Sequence, residues 1–218
     1  LQRIADLGAN DVRLVSNFGQ LPTFDANSYQ PFLPQSLESL KTFTDAAHAR
    51  GIAITWNPIT SIANVIGGDS NQASHPDPSD PQAWFASFRD VVLANARIAD
   101  AIGAERYMVL SDLEQSVFQW HPELAPSMIA LIGEVRTIYH GQISANIATT
   151  NGLFNTFPES ILGALDLIGL GLVPKLTNSN TATVEDLRAG WHADRAAGTG
   201  RPRPHGHCHQ LRHQRSEE

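Results

Sequence analysis

A cluster of polar residues follows a short apolar run near the middle of the chain. The run covers residues 107–110, and Ser111, Asp112, Glu114 and Gln115 come directly after it. In a chain of alternating helices and strands, this pattern is typical of a buried parallel strand whose carboxyl end carries acids. The carboxyl ends of such strands are where α/β barrels place their chemistry. The pattern therefore places Glu114 at the mouth of a candidate site, beside Asp112 if the strand runs that far. The alternative is that both acids cap the next helix or face solvent.

Other polar and aromatic residues also fall at the ends of predicted strands or in the loops after them. Asn17 and Asn57 end two strands, Asn146 lies on a later strand, and Trp120 follows Glu114 in a predicted loop. Barrel strands covered by helices carry large residues outward and small ones inward, so Asn57 rather than Trp56 is expected to point inward. All of these positions also have an ordinary structural interpretation, in which they fill the core or contact solvent.

The elements that must position these residues alternate along the chain. The apolar runs predict strands near residues 12–17, 52–57, 107–112, 143–148 and 167–173, with one helix before the first strand and a helix after each of the five. Strands joined by crossover helices must be parallel. This leaves a closed barrel or an open doubly wound sheet, and no strand is followed by a phosphate-binding glycine fingerprint. The sequence therefore predicts an α/β fold, an incomplete (β/α)8 barrel.

Composition and charge exclude several classes of function. The chain has 218 residues, 42% hydrophobic and 17% charged, and a formal charge of -7. A nucleic-acid partner is not expected because there is no basic stripe to neutralise phosphates. No apolar run approaches the roughly 20 residues of a membrane span, so no membrane partner is expected. Cys208 is the only cysteine, which excludes an internal disulfide and leaves the compartment undecided. No cofactor is expected, and the oligomeric state is open.

The last stretch of the chain differs from the rest. Residues 1–197 are expected to form the partial barrel domain, and residues 198–218 a disordered or out-of-frame tail, because Arg, Pro, His and Gly crowd there without periodicity. His205, His207 and His209 with Cys208 could bind a transition metal, but a site of that kind is not expected. The chain opens inside a predicted helix without Met, and we expect it to be a fragment of a longer protein.

Several helix-to-strand passages resemble those of one family of retaining (β/α)8 glycosidases. The similar segments are residues 7–14, 46–54, 99–114, 132–144 and 165–177, followed by 184–187 and Trp191. The family is the β-mannanase-like glycoside hydrolase family 113, and the resemblance covers residues 1 to about 195, which it places at strands two to six. Leu113, Gly171 and Leu172 depart from the family pattern. The resemblance implies a carbohydrate substrate, with Asn17, Asn57, Asp112, Trp120 and Asn146 as candidate contacts.

Carried over to this chain, the resemblance makes Glu114 the strand-four general acid/base of a two-carboxylate mechanism. The family's nucleophile comes from the end of strand seven, which the readable pattern does not reach. We therefore expect a glycosidase-like barrel for β-linked polysaccharide that is inactive as given. The alternative is a catalytically silent carbohydrate-binding barrel.

Overall fold

The structure is a computed structural model, and it describes residues 1–21, 23, 25–31, 36–62, 76–111, 114–148, 157–171, 177, 179, 181–197 and 211–212. The strands are β1 (Asp11–Leu21), β2 (Gln30–Pro31), β3 (Ala53–Ile62), β4 (Arg106–Leu110), β5 (Gln142–Ala148), β6 (Leu167–Gly171) and β7 (Leu211–Arg212). The helices are α1 (Gln2–Asp6), α2 (Leu37–His48), α3 (Pro81–Ile102), α4 (Gln115–Trp120), α5 (Ala125–Arg136), α6 (Glu159–Gly163) and α7 (Val184–Ala197). A 3₁₀ turn, Pro122–Leu124, joins α4 to α5.

The described strands form one sheet in the order β2-β1-β3-β4-β5-β6-β7. The five long strands, from β1 through β3, β4 and β5 to β6, are all paired in parallel. The predicted parallel arrangement is therefore confirmed. The two-residue strands β2 and β7 pair antiparallel with β1 and β6, at opposite edges of the sheet. Residues 198–210 and 213–218 of the predicted tail lie outside the described residues.

Local sequence signals set the ends of the helices. Asp80 is the N-cap of α3, and its carboxylate accepts hydrogen bonds from the backbone N–H groups of Gln82 and Ala83 at 3.1 and 3.0 Å. The helix ends at Gly103, whose φ of 72° is in the left-handed region that glycine tolerates. Ser36 caps α2 by accepting from the backbone N–H of Ser39. Each of these ends carries a residue type that capping chemistry favours.

The core lies between the sheet and the helices that cover it. Trp56 is 1% exposed and donates from its indole N–H to the Asn95 side chain of α3 at 3.0 Å. In α3, Trp84 stacks on Phe88 with ring centroids 4.9 Å apart. The prediction that Trp56 points outward is confirmed, because an outward side chain is the one that meets a covering helix.

Ion pairs tie the amino ends of the strands together. Arg136 of α5 makes two hydrogen bonds of 2.9 Å to the Asp166 carboxylate, just before β6. The same carboxylate accepts from the backbone N–H of Ile143 in β5 at 2.8 Å. Asp11 of β1 pairs with Arg106 of β4. These contacts hold the strands in register at the end of the sheet opposite Glu114.

Three boundaries differ from the sequence prediction. The loop predicted after the strand near residues 107–112 contains α4, whose six residues are too few to show a helical period. Strand β1 runs to Leu21 and β3 to Ile62, where loops were expected, because the two strands continue to pair beyond a bulge between Asn17 and Gly19. Pairing between distant segments extends both strands, so local sequence does not reveal it.

Candidate active site

Glu114 lies just beyond the carboxyl end of β4, at the turn into α4. The strand ends at Leu110, and Glu114 takes the N-cap position of α4 with φ −73° and ψ −17°. Its side chain makes no capping hydrogen bond to the helix. The carboxylate turns back and accepts from the hydroxyl of Ser111 at 2.8 Å and from the Ser111 backbone N–H at 3.2 Å. Strand β4 therefore does not continue to Glu114. The expectation that Glu114 and Asp112 share one face of a strand does not hold, because neither residue is part of β4.

The Glu114 side chain lines a small cavity between the sheet and α3. Glu114 is 3% exposed, and the cavity measures about 20 Å³. The lining side chains come from β3 and the residues near it, from α3, and from β4 and the turn after it: Pro58, Ile59, Thr60, Phe88, Val91, Val92, Asn95, Tyr107, Val109, Ser111 and Glu114. Among the residues that the structure describes, Glu114 is the only carboxylate in this lining, and most of the residues around it are apolar.

Two buried tyrosines lie near the Glu114 carboxylate. Burial raises the pKa of Tyr29 well above its usual range, the Glu114 charge raises it further, and the neighbouring Thr60 side chain opposes both effects. Burial likewise raises the pKa of Tyr107, with the Glu114 charge as the next cause. The Tyr107 hydroxyl donates to the carbonyl of Val92 in α3 at 2.9 Å. Both tyrosines therefore stay neutral at ordinary pH and can act only as hydrogen-bond donors or acceptors.

Gln115 joins the start of α4 to the ends of two strands. It is 1% exposed, and its side-chain amide donates to the carbonyl of Ser111 at 3.2 Å and to the carbonyl of Asn146 in β5. Asn146 is 7% exposed and sits opposite Gly169 of β6 in the strand register. The structure therefore links Glu114 to Asn146 through the residue that follows Glu114.

Asn57 lies on the inner face of the sheet, opposite in direction to Trp56. It is 1% exposed, and with its amide turned so that the oxygen meets donors, it accepts from Arg13 of β1 at 2.8 and 2.9 Å. Arg13 also approaches the sulfur of Met108 in β4 at 3.6 Å. The predicted inward direction of Asn57 is confirmed. Its described contacts are with Arg13, whereas Glu114 lines the cavity on the α3 side.

The remaining predicted site residues are spread over three segments. Asn17 lies on β1 next to the bulge, and its side chain is outside the described residues, as is Asp112. Trp120 is the last residue of α4 and is 46% exposed. The roles assigned to all of the candidate residues stay predictions.

Sequence reasoning missed part of this arrangement. Ser111 and Gln115 were visible as members of the polar cluster after the strand. No feature of the local sequence showed that Ser111 bonds to the Glu114 carboxylate or that Gln115 bonds to the carbonyl of Asn146. Tyr29 carries no signal in its own segment, because its position depends on contacts with α3 more than fifty residues away. Its backbone N–H donates to the Ser87 hydroxyl at 2.6 Å.

Within the part of the chain that the structure describes, no three His, Cys, Asp or Glu side chains converge in a way that could hold a metal ion. Likewise, none of the described helices is both long enough and apolar enough to cross a membrane.

Three of the solved structures that match this fold are titled as β-mannanases. A GH113 β-mannanase from Alicyclobacillus acidocaldarius, solved in complex with ManMIm, matches with a TM-score of 0.60 and 23% identity. The match covers 78% of this chain and 52% of the mannanase chain. Two structures of GH113 β-1,4-mannanases match with TM-scores of 0.58 and 0.61 at 18% and 17% identity. These two matches cover 93% and 88% of this chain, and 62% and 60% of the respective mannanase chains. The described sheet and helices are thus part of a (β/α)8 barrel, and this chain spans less than two thirds of the length of each of these structures.

The family follows from the sequence comparison. The model of Glycoside Hydrolase Family 113 matches residues 26–168, more than half of the chain, and this range includes Glu114. The chain belongs to Glycoside Hydrolase Family 113. A search of curated protein sequences finds no match.

Proposed function

We propose that this chain carries the acid/base half of a retaining glycoside hydrolase that acts on β-linked polysaccharide. The observation that carries the proposal is the family match over residues 26–168. This range contains Glu114, a nearly fully buried carboxylate at the carboxyl end of a central parallel strand. The structures most like it are titled β-mannanases or β-1,4-mannanases, so β-1,4-mannan is the first substrate to test.

In the proposed mechanism Glu114 protonates the glycosidic oxygen as the bond to the leaving sugar breaks. A second carboxylate, about 5–5.5 Å from the first in retaining enzymes, attacks the sugar and forms a covalent intermediate. Glu114 then removes a proton from the water that hydrolyses this intermediate. Asn17, Asn57, Asp112, Trp120 and Asn146 are proposed to contact the sugar units.

The proposed nucleophile is not among the described residues that accompany Glu114. Within that described part of the chain, Glu114 is the only carboxylate lining its cavity, and the acids Asp11 and Asp166 serve in ion pairs before or at the amino ends of strands. Losing one member of a catalytic carboxyl pair removes an interaction that other residues cannot replace. We therefore propose that the 218-residue polypeptide is inactive by itself and that the nucleophile belongs to a longer polypeptide.

The direction of the Glu114 side chain supports a second candidate, a catalytically silent carbohydrate-binding barrel. The carboxylate lies on the α3 side of the sheet, whereas Asn57 lies on the inner face. Hydrolysis requires Glu114 to turn from Ser111 towards the inner face when sugar binds. A silent barrel requires no such movement.

Hydrolysis of β-1,4-mannan by two polypeptides tests the proposal. One is the chain as given, and the other, called the extended protein, replaces residues 198–218, which we propose are out of frame, with the continuation in the frame that completes the barrel. We expect no reducing sugar from the first and hydrolysis by the second, measured at equal concentrations. If the extended protein binds mannan without cleaving it, the silent barrel is the correct function. Equal turnover by both polypeptides would contradict the assignment of a missing nucleophile.

A further inference from the structure

Strand β3 carries a proline in the interior of the sheet. Pro58 lies in β3, which stands between β1 and β4, and proline has no backbone N–H to donate to a neighbouring strand. Within sheets, proline is therefore found on edge strands, at the first residue of a strand or at bulges. Strand β3 is not an edge strand, and its register with β1 is regular at Pro58. One bond to a neighbouring strand must therefore be missing at this position.

The missing N–H belongs to the side of β3 that faces β4. The N–H of Ile54 donates to the Glu105 side chain at 2.7 Å, and the Ile54 carbonyl accepts from the Glu105 N–H at 3.0 Å, at the start of β4. Ala53 donates in the opposite direction, to the carbonyl of Asn10 before β1 at 2.9 Å. Because the backbone groups of successive residues in a strand point to opposite sides, residue 58 has the same direction as Ile54.

The two strands part where Pro58 stands. Within the described residues, β3 and β4 pair only through residues 55–56 and 106–107, whereas β3 continues to pair with β1 as far as Ile62. In this register the next bond between β3 and β4 would run from the nitrogen of residue 58 to the carbonyl of Met108. Proline cannot make that bond, and its ring leaves the ladder with β1 intact because the missing donor does not face β1.

The gap between the two strands is the cavity that holds the Glu114 carboxylate. Residues 58–60 line it from β3, Val109 lines it from β4, and Ser111 and Glu114 line it from the turn after β4. Paired strands lie about 4.7–4.9 Å apart, which leaves no room for a side chain between them. A ladder that continued through residue 58 would therefore take up the space in which Glu114 is buried.

We propose that Pro58 is a positioning residue for Glu114, because it ends the β3–β4 ladder and so keeps open the gap that receives the carboxylate. The Ser111 hydroxyl then holds the carboxylate in that gap at 2.8 Å. The separation of the strands depends only on this structure, whereas its meaning for catalysis rests on the proposed function. In that reaction Pro58 sets the resting position from which Glu114 turns towards the inner face.

Two substitutions at Pro58 test the proposal on the chain as given. Pro58→Ala and Pro58→Val each add the missing N–H, and valine also favours a strand. Ile59→Ala is the matched control, because it shortens the next residue of the same cavity wall at a position whose N–H faces β1. NMR detects a bond from the residue 58 N–H to the Met108 carbonyl as a scalar coupling across the hydrogen bond. It also follows the signal of the Ser111 N–H, which donates to Glu114 at 3.2 Å.

Both Pro58 variants should gain the coupling to the Met108 carbonyl. In both, the Ser111 N–H signal should move towards the position that it has in Glu114→Gln, while Ile59→Ala should show neither change. A crystal structure of Pro58→Val should show β3 and β4 paired through residue 58 and the cavity closed.

The proposal is wrong if the strands stay apart in both Pro58 variants. It is also wrong if the strands pair while the Ser111 signal keeps its place, or if Ile59→Ala moves that signal equally. No substrate enters these measurements, so failure of the extended protein to hydrolyse mannan would leave them unaffected, and the two proposals fail separately.

Discussion

At the scale of single residues, the site depends on side chains that hold Glu114 and Asn146 rather than on the acid alone. Ser111 donates twice to the Glu114 carboxylate, and Gln115 bridges the carbonyls of Ser111 and Asn146. A buried charge needs such partners because desolvation disfavours it. The turn after β4 is therefore a connected polar unit, and a disturbance of one member should reach the others.

Gly169 provides a test of how tightly Asn146 is held. A Cβ at Gly169 would lie 3.3 Å from Asn146 Oδ1 and 3.4 Å from the carbonyl of Ala145, whereas a Cβ at Gly163 in α6 meets nothing within 4 Å. We expect Gly169→Ala to lower the free energy of unfolding by about 1–3 kcal/mol through overpacking. Gly163→Ala should raise it by about 0.4–1 kcal/mol, because the unfolded chain loses freedom. Urea unfolding measures both, and equal effects of the two substitutions would contradict the close packing of Asn146.

At the scale of helices and strands, the contacts between α3 and α5 include one ion pair whose contribution to stability depends on pH. Arg89 of α3 bonds to Glu134 of α5 through its Nε at 3.1 Å and through a second nitrogen. The hydrogen bond from Arg89 holds the pKa of Glu134 below its ordinary value of 4.5. Because the folded pKa is lowered, the stabilisation is present above pH 4.5 and is lost as the pH falls through the lowered value.

Glu134→Gln should therefore lower the free energy of unfolding at neutral pH and remove part of its fall below pH 4.5. The difference in unfolding free energy between the parent and Glu134→Gln is expected to be constant above about pH 5.5 and to shrink below pH 4.5. The pair is partly exposed, so salt should reduce the difference. Glu38→Gln, at an exposed position in the first turn of α2, is the control. A difference that grows as the pH falls would contradict the assignment.

The elements were predictable to different degrees, for physical reasons. All five long strands follow from apolar runs that end in polar residues, and the helix ends at Asp80 and Gly103 follow from capping chemistry. Helix α4 was not predicted because six residues are too few to show the helical period of apolar residues. The extension of β1 and the position of Tyr29 depend on partners distant in the sequence. The direction of the Glu114 side chain could not be predicted from the sequence either, because it depends on the residue at which β4 ends.

At the scale of the whole molecule, the five parallel strands and their helices form part of a (β/α)8 barrel of Glycoside Hydrolase Family 113. The inner face carries Arg13, Asn57 and Met108, and the outer face is packed against α3. The Glu114 carboxylate lines the cavity on the α3 side, just beyond the end of β4. The proposed function therefore depends on whether this carboxyl acts on substrate as a general acid.

The most direct test is how the effect of Glu114→Gln depends on the leaving group, measured on the extended protein. A general acid is needed when the leaving group is a sugar alcohol, and hardly needed when it is a dinitrophenolate, which leaves without a proton. We predict that Glu114→Gln lowers kcat/KM on β-1,4-mannan by about 10²–10⁴-fold and leaves the formation of the covalent intermediate from dinitrophenyl β-mannoside almost unchanged. Equal losses on both substrates would mean that Glu114 is not the acid, and unchanged hydrolysis of mannan would place the chemistry elsewhere.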